Sequence, residues 1–247
     1  MEAIKIKLIA TSIFALISAP TYGDEQIYSS KSSGTSNTGV YIGDTYNRNG
    51  ASTAFKYDNA LGIANLGTLG GEHSSAKAVS ADGEIVVGDA ALVNGKTHAF
   101  KHSNLSGGMI DLGTLGGDHS SAKAVSADGE IVVGDAALVN GKTHAFKYTK
   151  ARGMMDIGDL GGGFSRAISI SDNGEFVIGV AELANGDLHA FKHSDIMGMI
   201  DLGTLGGRQS TATSISEDGD TIVGYSTRID GKVHSFRYTD KKGFEAL

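Results

Sequence analysis

A phrase of about 45 residues recurs four and a half times along this 247-residue chain, and that repetition constrains the fold more than any other feature. Its fullest form, VGDAALVNGKTHAF, ends at Phe100 and again at Phe146, with weaker versions ending at Phe55, Phe191 and Phe236. Gly43, Gly88, Gly134, Gly179 and Gly224 hold equivalent places, 45, 46, 45 and 45 residues apart. Residues 73–101 and 119–147 are identical over 29 positions, the mark of a recent duplication. A period this regular predicts a stack or ring of like units, each too small to bury its own apolar face.

Within one unit the pattern is that of short strands. Met109–Leu115 is an apolar run closed by Gly116-Gly117; Ala122–Ser126 is a second, ending at Asp128-Gly129. Ile131–Gly134 follows, then Asn140-Gly141, then Thr143–Tyr148. Asp-Gly and Asn-Gly supply the positive φ angles of tight hairpin turns, and they recur in each later unit. With 36 Gly, one Pro and β-branched runs between turns, no segment shows a sustained helical stripe. Ile131-Val132-Val133 is apolar on both faces, as a sheet between two neighbouring sheets requires.

Four strands per unit predict an all-β chain folded as a β-propeller of about five four-stranded blades. The units are read as 58–102, 103–148, 149–193 and 194–238, flanked by partial units 24–57 and 239–247, in one domain 24–247. Gly243–Leu247 matches Gly198–Leu202, a first strand, while Tyr28–Tyr57 supplies strands two to four. The expected closure therefore pairs the C-terminal strand with the N-terminal partial blade, which removes exposed edges. The alternatives are an open β-repeat array cut mid-repeat and a β-solenoid fragment.

Residues 1–23 stand outside the repeat. Lys5 and Lys7 precede an apolar run, Leu8 to Ile17, and Thr21 and Gly23 form a small-x-small exit, which predicts a signal peptide cleaved after Gly23. Ten apolar residues are too few to span a bilayer, and no later stretch is longer. Without this segment the 21 basic and 28 acidic side chains fall to 19 and 27, a net charge of −8. With no Lys/Arg cluster, nucleic acid and anionic lipid are poor candidate partners. Cysteine is absent, and a domain of this size can bury enough surface without disulfides. The expected location is exported, secreted or at the cell surface of a bacterium.

Three motifs carry a resemblance over residues 40 to 247. His-Ala-Phe stands at His98–Phe100, His144–Phe146 and His189–Phe191, with His234-Ser235-Phe236 as a variant. Leu-Gly-Thr-Leu-Gly-Gly stands at 66–71, 112–117 and 202–207, and a Ser-x-Asp-Gly turn precedes Val-Val-Gly. In these motifs the chain resembles the HAF-repeat family of bacterial extracellular proteins. That resemblance implies an exported domain; in some relatives such repeats precede an autotransporter barrel.

The recurrent residues are read as structural. His98, His144, His189 and His234 could in principle ring a metal, but residues present in every unit serve what every unit needs. Each His is expected to bond its own blade's turn or backbone, and Phe100, Phe146, Phe191 and Phe236 to serve the repeat scaffold. His102 and His193 alternate with Tyr57, Tyr148 and Tyr238, which points to packing. Asp111, Asp156 and Asp201 occupy like environments, so they cannot split their pKa values as paired catalytic acids must. The glycine runs lack the Lys-Ser/Thr of a phosphate loop, and no nucleophile elbow or calcium-loop spacing occurs. No catalytic residue, metal or cofactor is therefore expected.

Candidate binding residues lie where the copies disagree, after Gly-Gly: Glu72 and His73, Asp118 and His119, Gly163 and Phe164, Arg208 and Gln209. Loops that vary on a fixed scaffold often carry specificity. The chain is thus read as an exported non-enzymatic repeat protein, a surface or secreted binding or adhesion module for a protein or glycan. The alternatives are an exported glycan-active hydrolase using unlike acids such as Asp159, and a truncated remnant of an autotransporter passenger.

Overall fold

The computed structural model describes residues 29–104 and 107–247, so the expected leader, residues 1–23, lies outside the described residues. The described chain is all-β. Its first antiparallel sheet contains β1 (Ser29–Thr35), β2 (Tyr41–Tyr46), β3 (Ser52–Asp58) and β4 (Gly62–Gly67) in sequential order. The second comprises β5 (Gly70–Val79), β6 (Ile85–Leu92), β7 (Thr97–Ser103) and β8 (Gly108–Asp111). The third holds β9 (Gly116–Val125), β10 (Ile131–Leu138), β11 (Thr143–Thr149) and β12 (Gly153–Asp156). The fourth holds β13 (Gly161–Ile170), β14 (Val177–Leu183), β15 (Leu188–Ser194) and β16 (Gly198–Gly203). The fifth holds β17 (Gly206–Ile215), β18 (Thr221–Arg228), β19 (Val233–Thr239) and β20 (Gly243–Ala246).

The first strands of successive sheets lie side by side, whereas the fourth strands only brush one another, so the sheets splay outward like spokes. Apolar clusters fill each gap between consecutive sheets. Ile42, Ala54 and Leu66 of the first sheet meet Val86, Ala90 and Phe100 of the second, and the same pattern repeats at three further gaps. Phe100, Phe146, Phe191 and Phe236 are fully buried there. Each presses on the strand-two glycine of its own sheet, where the first strand bulges. In the third sheet the register jumps between Val133 and Gly134, and a Cβ on Gly134 would fall on the Ser121 carbonyl and against the Phe146 ring. Steric exclusion, rather than backbone freedom, keeps glycine at every unit.

Among the described residues, the C-terminal strand does not pair with the N-terminal sheet. Phe244 in β20 lies opposite Tyr238 in β19, while Ile42 sits between Gly34 and Lys56 of its own sheet. The reason is local. A short turn, closed by Lys242 N–H on the Thr239 carbonyl at 3.2 Å and by Gly243 at φ 71°, returns the chain onto the strand it has just left. The run that the sequence suggests as strand one of each unit is therefore strand four of the preceding sheet. Likewise β1 is a first strand, so the first and fifth sheets are each made from contiguous chain. Successive antiparallel hairpins also differ from the coils of a solenoid. No helix among the described residues is long and apolar enough to cross a membrane.

Candidate functional site

Every sheet is antiparallel and stacked in the same sense, which gives the array two ends. One end carries the turns between first and second strands; the other carries the hairpins between second and third strands. At the first end, five equivalent turns converge on one cavity of about 260 Å3. Thr35, Val79, Val125 and Ile215, the last residues of four first strands, line it together with Asn37, Ala81, Ala127, Asp172 and Glu217 from the turns. Since all five sheets contribute, the array curls around this point.

The turns themselves are rigid and alike. Ser126 donates to Asp128 at 2.6 Å, Asp128 accepts from Glu130 N–H at 3.0 Å, and Ile131 N–H reaches Ser126 Oγ at 3.0 Å. Gly129, at φ 74°, completes the turn. The same bonds recur around Ser80, Ser171 and Ser216. These bonds lower the pKa values of Asp82, Asp128 and Asp218, with the serine hydroxyl as the largest cause in each. Only the residue after each serine has no role in the turn, and it is that residue which faces the cavity. Backbone bonds link these positions in series: Asn37 N–H to Ala81 O at 3.1 Å, Ala81 to Ala127 at 3.0 Å and Ala127 to Asp172 at 3.2 Å. The series stops there. Asp172 and Glu217 put two carboxylates on one side of the cavity, and neither has a cationic partner among the described residues.

At the opposite end, the recurrent histidines and aspartates are partners. His98 Nδ1 lies 2.9 Å from both oxygens of Asp111; His144 with Asp156 and His189 with Asp201 repeat the contact at 2.8–3.0 Å. The expected bond to a turn or backbone is thus replaced by a carboxylate on the adjacent strand. That carboxylate also caps a backbone N–H, such as that of Gly113 at 2.7 Å. His234 has Ala246 at the matching register and lacks the acid. Asp159 approaches His144 Nε2 at 3.9 Å and accepts backbone bonds from Gly161 and Gly163.

The variable residues after Gly-Gly also lie at this end, beside the third strand of the preceding sheet. Asp118 pairs with Lys96 at 2.7 Å, and that bond lowers its pKa; Arg208 pairs with Asp187 at 2.6 Å. His73 accepts from Ser52 N–H at 3.3 Å, while His119 and Gln209 stand in bridge register with Thr97 and Leu188. Phe164 is covered by the Arg166 guanidinium at 5.6 Å, and Glu72 is exposed. These residues are distributed over the four seams between consecutive sheets. The residues that do converge, Asn37, Asp172 and Glu217, carry only one sequence signal: a turn position that changes while its neighbours repeat. No group of three or more potential metal ligands occurs among the described residues.

No family model matches the chain, and no curated protein does. Solved structures do. TolB from Acinetobacter baumannii superposes with a TM-score of 0.57 at 14% identity, covering 84% of this chain and 52% of that one. A structure described in an analysis of two prolyl endopeptidases superposes with a TM-score of 0.62 at 12% identity, covering 90% of this chain and 36% of that one. The β-propeller domain of the trilobed protease from Pyrococcus furiosus, described as having an open velcro topology, gives 0.56 at 10% identity, with 90% and 71% covered. The chain thus spans about half the length of that TolB and about a third of that prolyl endopeptidase chain. The comparison corrects the reading as an adhesion module. The neighbours are TolB proteins and peptidase-borne propellers, which favour neither that module nor a glycan hydrolase or passenger remnant. At such identities the likeness establishes the fold: this chain is folded as a β-propeller.

Proposed function

We propose that the protein is an exported propeller whose axial cavity receives the cationic end or side chain of a polypeptide. One observation carries this reading: five equivalent turns border one cavity, and among the described residues its charged lining groups are Asp172 and Glu217. An ammonium or guanidinium head between two carboxylates gains charge-assisted hydrogen bonds. Its aliphatic stem would lie on Val79, Val125 and Ile215, which divides the cavity as an amphipathic side chain demands. A polypeptide as the bearer of that charge has support from a propeller neighbour, a prolyl oligopeptidase B described as bound to a 35mer substrate. The five sheets are read here as five blades around the cavity. The leader-like residues 1–23 and the HAF-repeat motifs support an extracytoplasmic location.

The test is calorimetric titration with a short lysine-containing peptide and its norleucine analogue. The wild type is expected to bind the lysine peptide and to lose affinity as salt rises. The double variant Asp172→Asn/Glu217→Gln should lose about 1–3 kcal/mol of binding. Both side chains are exposed, so the fold is spared. Equal affinity for the norleucine analogue would remove the reading.

A further inference from the structure

The five axial turns share one conformation but not one set of bonds. Three steps between them are made, from Asn37 N–H to Ala81 O, from Ala81 to Ala127 and from Ala127 to Asp172, at 3.0–3.2 Å. Both steps that involve the fifth turn are missing. Asp172 N–H and Glu217 O, like Glu217 N–H and Asn37 O, have no partner among the described residues. The fifth turn is built like the others, with Ser216 on Asp218 at 2.6 Å and Thr221 N–H on Ser216 at 2.9 Å, so its own conformation does not explain the break. Charge explains it. No step that is made joins two charged residues, whereas the step from the fourth turn to the fifth brings together two carboxylates, Asp172 and Glu217, on one cavity.

A fifth sheet held off the axis leaves its seam with the first sheet bare on both sides. Among the described residues four apolar clusters fill the seams between consecutive sheets, and none joins the fifth sheet to the first. Tyr41 is 40% exposed, whereas Val86, Val132, Val177 and Ile222, at the same place in the other sheets, are fully buried. Ser32 is exposed where Ala76, Ala122, Ala167 and Ala212 are buried. On the facing side Tyr225 is 56% exposed, and Arg237 keeps a buried Nε without a partner among the described residues. These faces are copies of faces that fit. In three seams the residue after the strand-two glycine touches the first strand of the next sheet: Asp44 with Ser75 at 3.0 Å, Asp89 with Ser121 at 2.8 Å and Asp135 with Arg166 at 3.1 Å. Tyr225 and Lys31 hold those two places across the bare seam.

We infer that Asp172 and Glu217 act as an electrostatic spacer that holds the fifth sheet off the first, and that a cation bound between them closes the ring. With the repulsion removed, the fifth turn moves inward and both missing backbone bonds form. Lys31 then comes over the Tyr225 ring, a favourable place for an ammonium group. Closure of this kind needs no strand exchange, since the new seam packs face to face like the other four. Ligand and closure are linked, because a cation that binds the closed form better shifts the population toward it. Coupling to a ligand rests on the cationic-ligand reading of the cavity; the spacer does not.

The chain has no cysteine, so Lys31→Cys/Tyr225→Cys carries only the two thiols placed across the seam, both at exposed positions. The measurement is the rate at which a mild oxidant converts this variant to an internally bridged monomer, read on a non-reducing gel. Adding Asp172→Asn/Glu217→Gln should raise that rate at least about fivefold. Salt should speed the charged parent and leave the neutral variant unchanged. An N-acetylated lysine peptide should likewise speed the parent and not the neutral variant. Equal rates with and without the two carboxylates, or bridging between chains in place of within one, would overturn the spacer. A faster neutral variant together with a parent that ignores the peptide would uphold the spacer and remove the cationic-ligand reading.

Discussion

His193 shows how one unit can differ chemically from its sisters at a position of the same shape. Tyr57, Tyr148 and Tyr238 fill this place in three sheets, and His102 and His193 fill it in the other two. His193 is only 7% exposed and its Nδ1 has no partner among the described residues. Burial lowers its pKa below the usual 6.5, with Asp195 opposing and Lys147 adding to the shift; burial, then Lys56, lowers that of His102. The unfolded chain therefore takes up protons near pH 6.5 while the folded chain resists them. Stability from this source is complete above that pH and is lost as the pH falls below it toward the folded values. The double variant His102→Tyr/His193→Tyr should thus lose less Tm than the wild type between about pH 7.5 and 5.5. Parallel Tm curves from differential scanning calorimetry would show that the buried imidazoles do not govern the acid limb. Sequence made the alternation visible; only packing around the ring revealed which protonation state the fold requires.

Between elements, a single serine joins each sheet to the one before it. Ser74, Ser120, Ser165 and Ser210 are almost wholly buried at the head of four first strands. Ser120 Oγ donates to Gly113 O, in the link that leaves the preceding sheet, at 2.5 Å and accepts from Ala99 N–H of that sheet at 2.8 Å, and the other three repeat the pair of bonds. Ser120→Ala would leave a buried donor and a buried acceptor unpaired, which costs about 1–3 kcal/mol. The urea midpoint should fall accordingly, and an unmoved midpoint would mean that these bonds contribute nothing net. The hairpin turns were legible at this scale because Asp-Gly and Asn-Gly announce them, as at Gly129 and Gly141. The turn between third and fourth strands was not. It rests on one glycine after residues that differ from unit to unit, as at Gly153, Gly198 and Gly243, and so resembles a link between units.

For the whole molecule, that turn decides how the array ends. Lys147 and Lys192 are buried and reach forward to Asp195 and Asp240 of the next sheet at 2.9 and 3.0 Å. Arg237, at the equivalent place in the fifth sheet, turns instead to Glu245 of its own sheet at 2.7 Å. Ser235 is exposed where Ala99, Ala145 and Ala190 are fully buried, and Leu247 is 69% exposed where Leu66, Leu112 and Leu202 are 5–7% exposed. Among the described residues, the outward face of the fifth sheet has less cover than the earlier sheets receive. A chain ending at Lys242 loses the Phe244 ring, stacked on Phe236 at 4.0 Å, and with it about 2–4 kcal/mol. Hydrogen exchange should then quicken in Val233–Thr239 and stay unchanged in Tyr41–Tyr46. Loosening of Tyr41–Tyr46 would instead revive closure by strand exchange.

Sequence alone determined the all-β repeat, its strands and most of its turns, because hairpin chemistry and two-sided apolar strands are local properties that every copy states again. Tertiary structure alone decided which strand belongs to which sheet, and which variable positions meet. Glu72, Phe164 and Arg208 vary as visibly as Asp172 and Glu217, and it took the structure to place the latter two on one cavity. The repeat period gives the spacing of units along the chain but not the direction in which they curl, and convergence on an axis depends on that curl.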